Sequence, residues 1–213
     1  MLVRQFDVGG DRNYGYIAAE ESSKEAFLVD PAYSPGKLLR YVEEKGFIIK
    51  YNFCTHGHYD HTNGNETVRK SLGIVPLLYG SIEPVSGQSV KDGVKFSLGS
   101  LQLTIIHTPG HTQDSMCIFV GNALFTGDTL FVGKVGGTDF GSGARQEYNA
   151  LHEKLLKLSD ETRVFPGHNY GVAPQSTIGQ ERKTNPFLLQ PDLASFIDLK
   201  RNWAEYKRKH NIA

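Results

Sequence analysis

The chain has 213 residues, and its 23 basic and 23 acidic side chains give a formal net charge of zero at pH 7. This length is enough for one domain with a proper core, and 39% hydrophobic with 22% charged residues excludes a disordered segment. No apolar run approaches the roughly 18 to 20 residues of a membrane helix, and the balanced charge argues against a general nucleic-acid binder.

The N-terminal part of the chain predicts strands around one clearly bounded helix. Residues 14–19 and 26–30 are apolar runs separated by a polar turn, as in two neighbouring strands. Ser34 is a candidate N-cap and Gly46 a candidate C-terminal residue, which predicts a helix between them. The apolar residues 47–55 then predict a buried strand.

The central part of the chain predicts further strands and a second long helix. Residues 100–108 alternate as a strand does, and residues 116–120 and 123–129 predict a hairpin. A helix is expected over residues 145–158 and a short strand over residues 163–167. This order of elements predicts mixed sheets with helices outside them, in the α+β class.

The remaining stretches are assigned from composition and periodicity. Residues 66–72 predict a short helix, residues 74–80 a strand, and the Gly- and Ser-rich residues 85–99 loops and hairpins. A terminal helix is expected to pack on the domain through one mostly apolar face. That face contains Leu193, Phe196, Ile197, Lys200, Trp203 and Lys207.

The strongest chemical signal is the string HGHYDH at residues 56–61, where a predicted strand ends. Side chains two residues apart in an extended chain point the same way, so His56 and His58 can converge on one ion. The turn that follows can present Asp60 and His61 to a second ion. Imidazole and carboxylate groups together suit a divalent metal such as zinc or iron.

Three later residues extend this set of metal-ligand side chains. His111 in HTPGHT, Asp128 in LFTGDT and His168 in VFPGH each follow an apolar run. Each can therefore lie on one rim of the sheets, where ligands commonly gather. Taken with the first motif, these residues predict a metal site rather than isolated loop histidines.

These motifs resemble those of the metallo-β-lactamase superfamily. The strings THGHYDHTNGN, HTPGHT, LFTGDTLF and PGHNYG are most similar to the glyoxalase II (hydroxyacylglutathione hydrolase) branch, and the persulfide dioxygenase branch shares them. The resemblance implies a four-layer αββα sandwich with metals at one edge. It also implies a catalytic domain over residues 1–175 and a short C-terminal helical extension over residues 176–213 packed on it.

The resemblance to glyoxalase II further implies a dinuclear hydrolase. Two divalent ions, zinc, iron or a mixture, would share a hydroxide that attacks a thioester and releases an acid and a thiol. Asp60 and Asp128 are the candidate catalytic carboxylates, and Asp30 is expected to brace a loop or a ligand histidine from behind. The implied ligands are His56, His58 and His111 for the first ion, Asp60, His61 and His168 for the second, and Asp128 as the bridge.

The resemblance to the persulfide dioxygenases implies a different reaction from the same residues. One Fe(II) could take His56, His111 and Asp128 as a two-histidine, one-carboxylate triad with open positions for oxygen and a sulfur substrate. The other ligand-type residues would then lie around that triad. The string GGTDFG, which holds residues 138–140, resembles the dioxygenase loop more than that of glyoxalase II. The alternative function is therefore a mononuclear-iron persulfide dioxygenase of sulfur metabolism.

The substrate group is left open by departures from both branches. Glutathione-using members carry Lys or Arg in the loop after the bridging aspartate, where this chain has Gly137. Lys134 can substitute from three residues earlier, and Tyr170 matches a tyrosine of the family's substrate pocket. A glutathione thioester, a coenzyme A thioester and a persulfide are all compatible with these residues.

The expected partner is a small-molecule thioester or another thiol-derived substrate, with neither nucleic acid nor membrane. A monomer or small homo-oligomer is expected. The first residues lack the long apolar stretch of a secretory signal, so a cytoplasmic protein is expected. Cys54 and Cys117 form no CxxC pair and lie in apolar runs, which favours buried thiols in a reducing compartment.

Overall fold

The computed structural model describes residues 1–212, which form two stacked β-sheets with helices on both outer faces. The first sheet has five strands in spatial order β1 to β5, and β3 pairs in parallel with β4, and β4 with β5. Its strands are β1 (Leu2–Gly9), β2 (Asn13–Ala19), β3 (Glu25–Val29), β4 (Ile48–Phe53) and β5 (Pro76–Leu77).

The second sheet has six strands in the spatial order β13-β12-β9-β8-β7-β6, with one parallel pair, β9 and β12. Two short strands, β10 (Leu130–Phe131) and β11 (Lys134–Val135), form a separate hairpin beside it. The strands of the sheet are β6 (Lys95–Leu98), β7 (Leu101–His107), β8 (Met116–Val120), β9 (Ala123–Gly127), β12 (Arg163–Pro166) and β13 (Ser176–Thr177).

Helices cover the outer faces of the two sheets. Apolar side chains of α1 and α3 pack on the first sheet, and those of α4 to α6 pack on the second. The helices are α1 (Pro35–Lys45), α2 (Tyr59–Thr62), α3 (Asn65–Leu72), α4 (Ser142–Asn149), α5 (Ile178–Thr184), α6 (Leu193–Arg201) and α7 (Trp203–His210). The layers confirm the predicted α+β class and four-layer αββα sandwich.

The core between the sheets is built around one aromatic cluster. The Phe125 ring contacts the rings of Tyr16, Phe27 and Phe165, with centroid separations of 5.2, 5.7 and 5.2 Å. All seven residues of β2 and all five of β9 are buried, because each of these strands has neighbours on both sides and layers on both faces. These two strands therefore form the centre of the sandwich.

Most predicted elements are confirmed, and the differences have local causes. Helix α1 begins at Pro35 and ends at Gly46, whose φ of 63° suits glycine, but the Ser34 side chain makes no capping hydrogen bond. The helix expected over residues 145–158 starts earlier and continues after α4 as a π turn (Ala150–Lys154) and a 3-10 turn (Leu155–Lys157).

Other elements differ in length from their predictions. The strand expected over residues 74–80 is reduced to β5, and the predicted loop region 85–99 contains β6. The terminal helix is interrupted at Asn202, between α6 and α7. Residues 176–177 add β13 to the edge of the second sheet, and the domain boundary at residue 175 stays a prediction.

One edge of the sandwich collects the ends of several strands. In the second sheet, β7, β9 and β12 run in the same direction, so their carboxyl ends lie at a common edge. The backbone N–H of Tyr14 donates to the Gly167 carbonyl at 2.8 Å, and that of Met116 to the Thr55 carbonyl at 2.8 Å. These bonds join the two sheets at this edge and hold the loops that follow the strands.

Two further features of the described residues bear on the sequence predictions. Cys54 and Cys117 are both buried and free, as predicted. Among residues 1–212, no helix combines the length and the apolar composition that a bilayer-spanning helix requires.

The aromatic cluster predicts the response to one core substitution. Phe125→Ala should lower the free energy of unfolding by about 3 to 5 kcal/mol, because it leaves a cavity where three aromatic rings meet. Urea denaturation measures this loss. Val85→Ala is the control, since Val85 is 94% exposed and its truncation should change stability by less than about 0.5 kcal/mol. A loss below about 1 kcal/mol for Phe125→Ala would contradict the central place of this ring.

Candidate metal centre

The seven predicted ligand residues meet at the common edge of the two sheets. They come from the loop after β4 and helix α2, and from the ends of β7, β9 and β12. Their side-chain nitrogen and oxygen atoms form three overlapping groups, within each of which all atoms lie inside 4.8 Å of one another. The groups are His56, His58 and His111; His56, His61 and Asp128; and Asp60, His61 and His168.

The first group contains three imidazoles that face one another. His58 Nδ1 lies 3.0 Å from His56 Nε2 and 3.0 Å from His111 Nε2. Residues 56 and 58 reach the same point because the backbone stays extended through His58, with φ of −62° and ψ of 144°. This is the set that the resemblance assigned to the first ion.

The group of Asp60, His61 and His168, which the resemblance assigned to the second ion, contains two imidazoles and a carboxylate. His61 Nε2 lies 3.2 Å from His168 Nε2. Asp60 Oδ2 lies 3.6 Å from His61 Nε2 and 3.4 Å from His168 Nε2. Asp60 and His61 are presented together because helix α2 begins at Tyr59, directly after the extended segment.

Asp128 lies between the two groups. Its Oδ1 atom is 3.3 Å from His61 Nε2, and its Oδ2 atom is 3.6 Å from His111 Nε2 and 3.5 Å from His168 Nε2. The two oxygens of this one carboxylate therefore contact both groups. That is the position from which a carboxylate can bridge two ions.

The donor set fits divalent cations. Bonds of about 2.1 Å in tetrahedral geometry separate neighbouring ligand atoms by about 3.4 Å, close to the separations of 3.0 to 3.6 Å within each group. Asp128 Oδ1 is buried and accepts no hydrogen bond. A shared cation would stabilise both the imidazole nitrogens that face one another and this unpartnered carboxylate oxygen. The residues present therefore fit a metal site.

Asp30 supports this cluster from behind, as the sequence predicted. Its Oδ2 atom lies 2.9 Å from His61 Nδ1 and accepts from the Thr55 hydroxyl at 2.7 Å, while Oδ1 accepts from the Thr55 N–H at 2.7 Å. Asp30 is 1% exposed and adopts a φ of 48°, which is uncommon for a residue other than glycine. Its carboxylate directs His61 Nε2 towards the centre.

Backbone carbonyls orient two more ligand histidines. His111 Nδ1 bonds to the Gly137 carbonyl at 2.7 Å, and His168 Nδ1 to the Asp11 carbonyl at 2.9 Å. A carbonyl only accepts, so each Nδ1 carries the proton and each Nε2 is free to bind an ion. These contacts fix both the tautomer and the direction of the rings.

Asn13 is a site residue that the sequence motifs missed. Its amide donates to the Asp60 backbone carbonyl at 3.1 Å and to Asp60 Oδ2 at 3.0 Å. The residue is 1% exposed and belongs to β2, far from the histidine motifs in sequence. No ligand-type spacing marks it, because its role is to hold a neighbouring carboxylate.

In the metal-free protein, the charge states of His56 and Asp128 suit cation binding. Burial and the neighbouring charge of His61 lower the pKa of His56 to about 2, so this imidazole is neutral at pH 7. Burial opposes ionisation of Asp128, but a hydrogen bond from His168 and the charge of His61 hold its pKa well below the usual range. A neutral imidazole and an ionised carboxylate are the forms that bind metal.

The two predicted substrate residues line a cavity of about 580 Å³ next to the cluster. The Tyr170 ring stacks on the His168 ring with centroids 4.5 Å apart, and its hydroxyl donates to Asp11 Oδ2 at 2.6 Å. Lys134 Nζ lies 4.9 Å from the centre of the Tyr170 ring. Burial and the charges of Lys207 and Arg12 lower the pKa of Lys134, so positive charge is concentrated at this cavity.

The contact between Asp30 and His61 predicts a pH effect in metal-free protein. Burial disfavours the charged imidazole, but the Asp30 carboxylate outweighs it and raises the His61 pKa to about 9. The contribution of His61 to stability is therefore fully present below its unfolded pKa of about 6.5, and it is lost as pH rises through about 9.

Asp30→Asn should flatten this dependence in chelator-stripped protein, since the amide carries no charge. Urea denaturation between pH 6 and pH 9.5 compares the substituted and native chains. An equal fall in the free energy of unfolding for both proteins would contradict the role given to Asp30.

Comparison with known proteins identifies the family of the chain. The sequence profile of the metallo-beta-lactamase superfamily matches residues 8–168. The cytoplasmic hydroxyacylglutathione hydrolase of Arabidopsis thaliana is 36% identical over 75% of this chain and 65% of its own length. A protein of Schizosaccharomyces pombe named "Probable hydroxyacylglutathione hydrolase glo2" is 32% identical over 91% of this chain and 76% of its own length.

A solved structure is similar over nearly the whole chain. The crystal structure of ETHE1 from Myxococcus xanthus superposes with a TM-score of 0.85 and 31% sequence identity, covering 95% of this chain and 91% of that one. The profile match spans most of the sandwich and every residue of the metal-ligand set. The chain therefore belongs to the metallo-β-lactamase superfamily.

Proposed function

We propose that this enzyme is a dinuclear metallohydrolase of the glyoxalase II type, which cleaves a hydroxyacyl thioester to an acid and a thiol. The observation that carries the proposal is the pair of three-residue ligand groups with Asp128 between them. Two separate groups joined by one carboxylate suit two ions better than one. Similarity to two proteins named as hydroxyacylglutathione hydrolases supports the thioester as substrate class.

The proposed metal ligands are the seven residues already described. Two divalent ions there, zinc, iron or a mixture, would supply an activated water as nucleophile and positive charge to stabilise the oxyanion that develops on the substrate carbonyl. Ionised Asp128 keeps both ligand groups close together, and the contacts of Asp30, Gly137 and Asp11 keep the histidine rings directed inward.

Asp60 has a second proposed role in proton handling. Its side chain is 32% exposed, while Asp128 is only 11% exposed, so Asp60 lies on the solvent side of the cluster. Asn13 holds Asp60 through two hydrogen bonds, one to its backbone carbonyl and one to Oδ2. The carboxylate held in this way can accept a hydrogen bond from the attacking water and hold its proton.

The proposed site for the thiol part of the substrate is the cavity beside Tyr170. Its wall carries the cations Arg12, Lys134 and Lys207, which complement carboxylate or phosphate groups of a thiol carrier. Lys134 lies close to Tyr170, and we assign to it the cationic role that Gly137 cannot fill. The Tyr170 ring contributes an apolar face, since its hydroxyl is already bonded to Asp11.

A persulfide dioxygenase is the second candidate function. Similarity to ETHE1 of Myxococcus xanthus favours it, as does the string at residues 138–140. His56, His111 and Asp128 would bind one Fe(II) in that case. Asp139 accepts from the N–H groups of Gly141 and Gly143 at 2.6 and 3.1 Å, so this loop is fixed at the start of α4 in either reading.

The proposed place of action is the cytoplasm. The Arabidopsis relative carries the word cytoplasmic in its name. Both cysteines are free and buried, which agrees with a reducing compartment.

Metal analysis of the protein as purified, without added metal, distinguishes the two candidate functions. We expect about two divalent ions per chain together with hydrolysis of hydroxyacyl thioesters, because the ligand atoms form two joined groups. Thioester hydrolysis and oxygen uptake with a persulfide are measured on the same sample. About one iron per chain, with oxygen uptake and no thioesterase activity, would overturn the hydrolase and establish the dioxygenase.

Removing the central carboxylate tests the ligand assignment directly. Asp128→Ala should reduce kcat/KM by at least about 100-fold and lower the metal content. Replacing residues that only orient metal ligands already lowers metal affinity or activity by about 10- to 100-fold. Elemental analysis and thioester hydrolysis measure both changes. Glu161→Ala removes an exposed carboxylate elsewhere and should leave both at native values. An Asp128→Ala protein with full metal content and turnover would contradict the assignment.

A further inference from the structure

Lys200 and Glu147 form a buried ion pair that the proposed chemistry does not use. Lys200 belongs to α6 and Glu147 to α4, and their side chains are only 5% and 1% exposed. Lys200 Nζ lies 2.5 Å from Glu147 Oε2. Removing two charges from water is costly, so packing alone gives no reason for an ion pair here.

Lys200 also holds the loop that contains Gly136 and Gly137. This loop supplies no metal ligand itself, but it contacts two proposed ligands, His111 and Asp128. Lys200 Nζ donates to the Gly136 carbonyl at 2.6 Å. The next residue, Gly137, provides the carbonyl that binds His111 Nδ1 at 2.7 Å. Lys200 is therefore one peptide unit away from the bond that sets the direction of His111.

The same loop lies against the backbone of the bridging aspartate. A Cβ atom at Gly136 would come within 1.9 Å of the Asp128 carbonyl oxygen, so only glycine allows this approach. Displacement of Gly136 would therefore change contacts with Asp128 as well as with His111. The Lys200 ammonium holds this loop through the Gly136 carbonyl, the peptide next to the Gly137 carbonyl that bonds to His111.

Glu147 supports the His111 loop from its other side. A Cβ atom at Gly110 would lie 2.5 to 2.8 Å from the Cβ, N and Cα atoms of Glu147, so the two backbones are in close contact. Glu147 thus contacts the residue before His111 and holds the lysine that fixes Gly136. The ion pair connects the loop of residues 107–112, the loop of residues 134–141 and helix α6.

We propose that Lys200 is a positioning residue for the first metal site, acting through the Gly136–Gly137 peptide on His111. The C-terminal helix α6 thereby determines the metal affinity of the His56, His58 and His111 group. This inference rests on the metal assignment proposed above. It predicts that one of two metal ions is bound less tightly when the Lys200 contact is lost.

The test needs a variant that does not leave a buried charge unpaired. Lys200→Met alone would leave the buried Glu147 carboxylate without a cationic partner, which strongly destabilises folded proteins. The double variant Glu147→Gln/Lys200→Met removes both charges and keeps side chains of similar size. Lys209→Met, which removes an exposed lysine of α7, is the matched control.

The affinities of both ions are measured by chelator competition from the metal-loaded full-length proteins. We expect the double variant to bind one ion about tenfold more weakly and the other ion with native affinity. Tenfold is the lower end of the effects on metal affinity seen when residues that orient metal ligands are replaced. The absorption spectrum of the cobalt-substituted protein should change at one site only. Thermal unfolding checks that the fold is retained.

Two results would overturn the inference. One is native affinity for both ions with an unchanged cobalt spectrum. The other is an equal loss at both sites that follows the loss of thermal stability, which indicates a general structural role. If even the native chain binds no metal, the metal assignment fails separately. Amide hydrogen exchange over residues 107–112 and 134–141 then decides whether Lys200 holds these loops, since faster exchange in the double variant is required.

Discussion

The structure depends on one electrostatic constraint. Several atoms with lone pairs, which are potential metal ligands, face one another at the common edge of the two sheets. Imidazole nitrogens and carboxylate oxygens lie 3.0 to 3.6 Å apart there, although donors of like polarity repel when nothing lies between them. A divalent cation turns that repulsion into attraction. The surrounding fold therefore has to hold its ligands together both with and without metal.

The sandwich meets this requirement by placing rigid elements behind each ligand. Strand ends supply most of the ligands, and backbone hydrogen bonds at the same edge join the two sheets. Asp30 has an uncommon backbone conformation, and its carboxylate accepts hydrogen bonds from both Thr55 and His61. Such strain is maintained only where the neighbouring structure is well packed, which the fully buried β2 and β9 provide.

Local patterns in the sequence were sufficient to predict most elements and the seven side chains that cluster at the common edge. The HGHYDH string works because extended backbone and the start of a helix are short-range events, so side chains two residues apart converge as predicted. Gly46 ends α1 for a similarly local reason. Asp30 was predicted to hold either a loop or a ligand histidine, without naming the residue. The structure shows that its carboxylate contacts His61.

The supporting residues could not be predicted because their partners are distant in the chain. Asn13 and Asp60 are 47 residues apart, and Lys200 contacts a carbonyl 64 residues earlier. Lys200 lies on a mostly apolar helical face, and lysine side chains are rarely buried without a partner. Its burial could therefore not be predicted without knowing that Glu147 lies next to it. The apolar periodicity of the sequence likewise did not indicate the interruption at Asn202 or the π turn after α4.

The distribution of ligands over both sheets has a consequence for the lifetime of the protein. His56 to His61 follow the first sheet, whereas His111, Asp128 and His168 follow strands of the second. Metal bound by the proposed ligands would therefore cross-link the two halves of the sandwich, and the unfolded chain cannot reproduce that arrangement. Every tenfold rise in free metal above the dissociation constant then adds about 1.4 kcal/mol to the folded state. Metal supply would regulate how much of this protein survives proteolysis as well as how active it is.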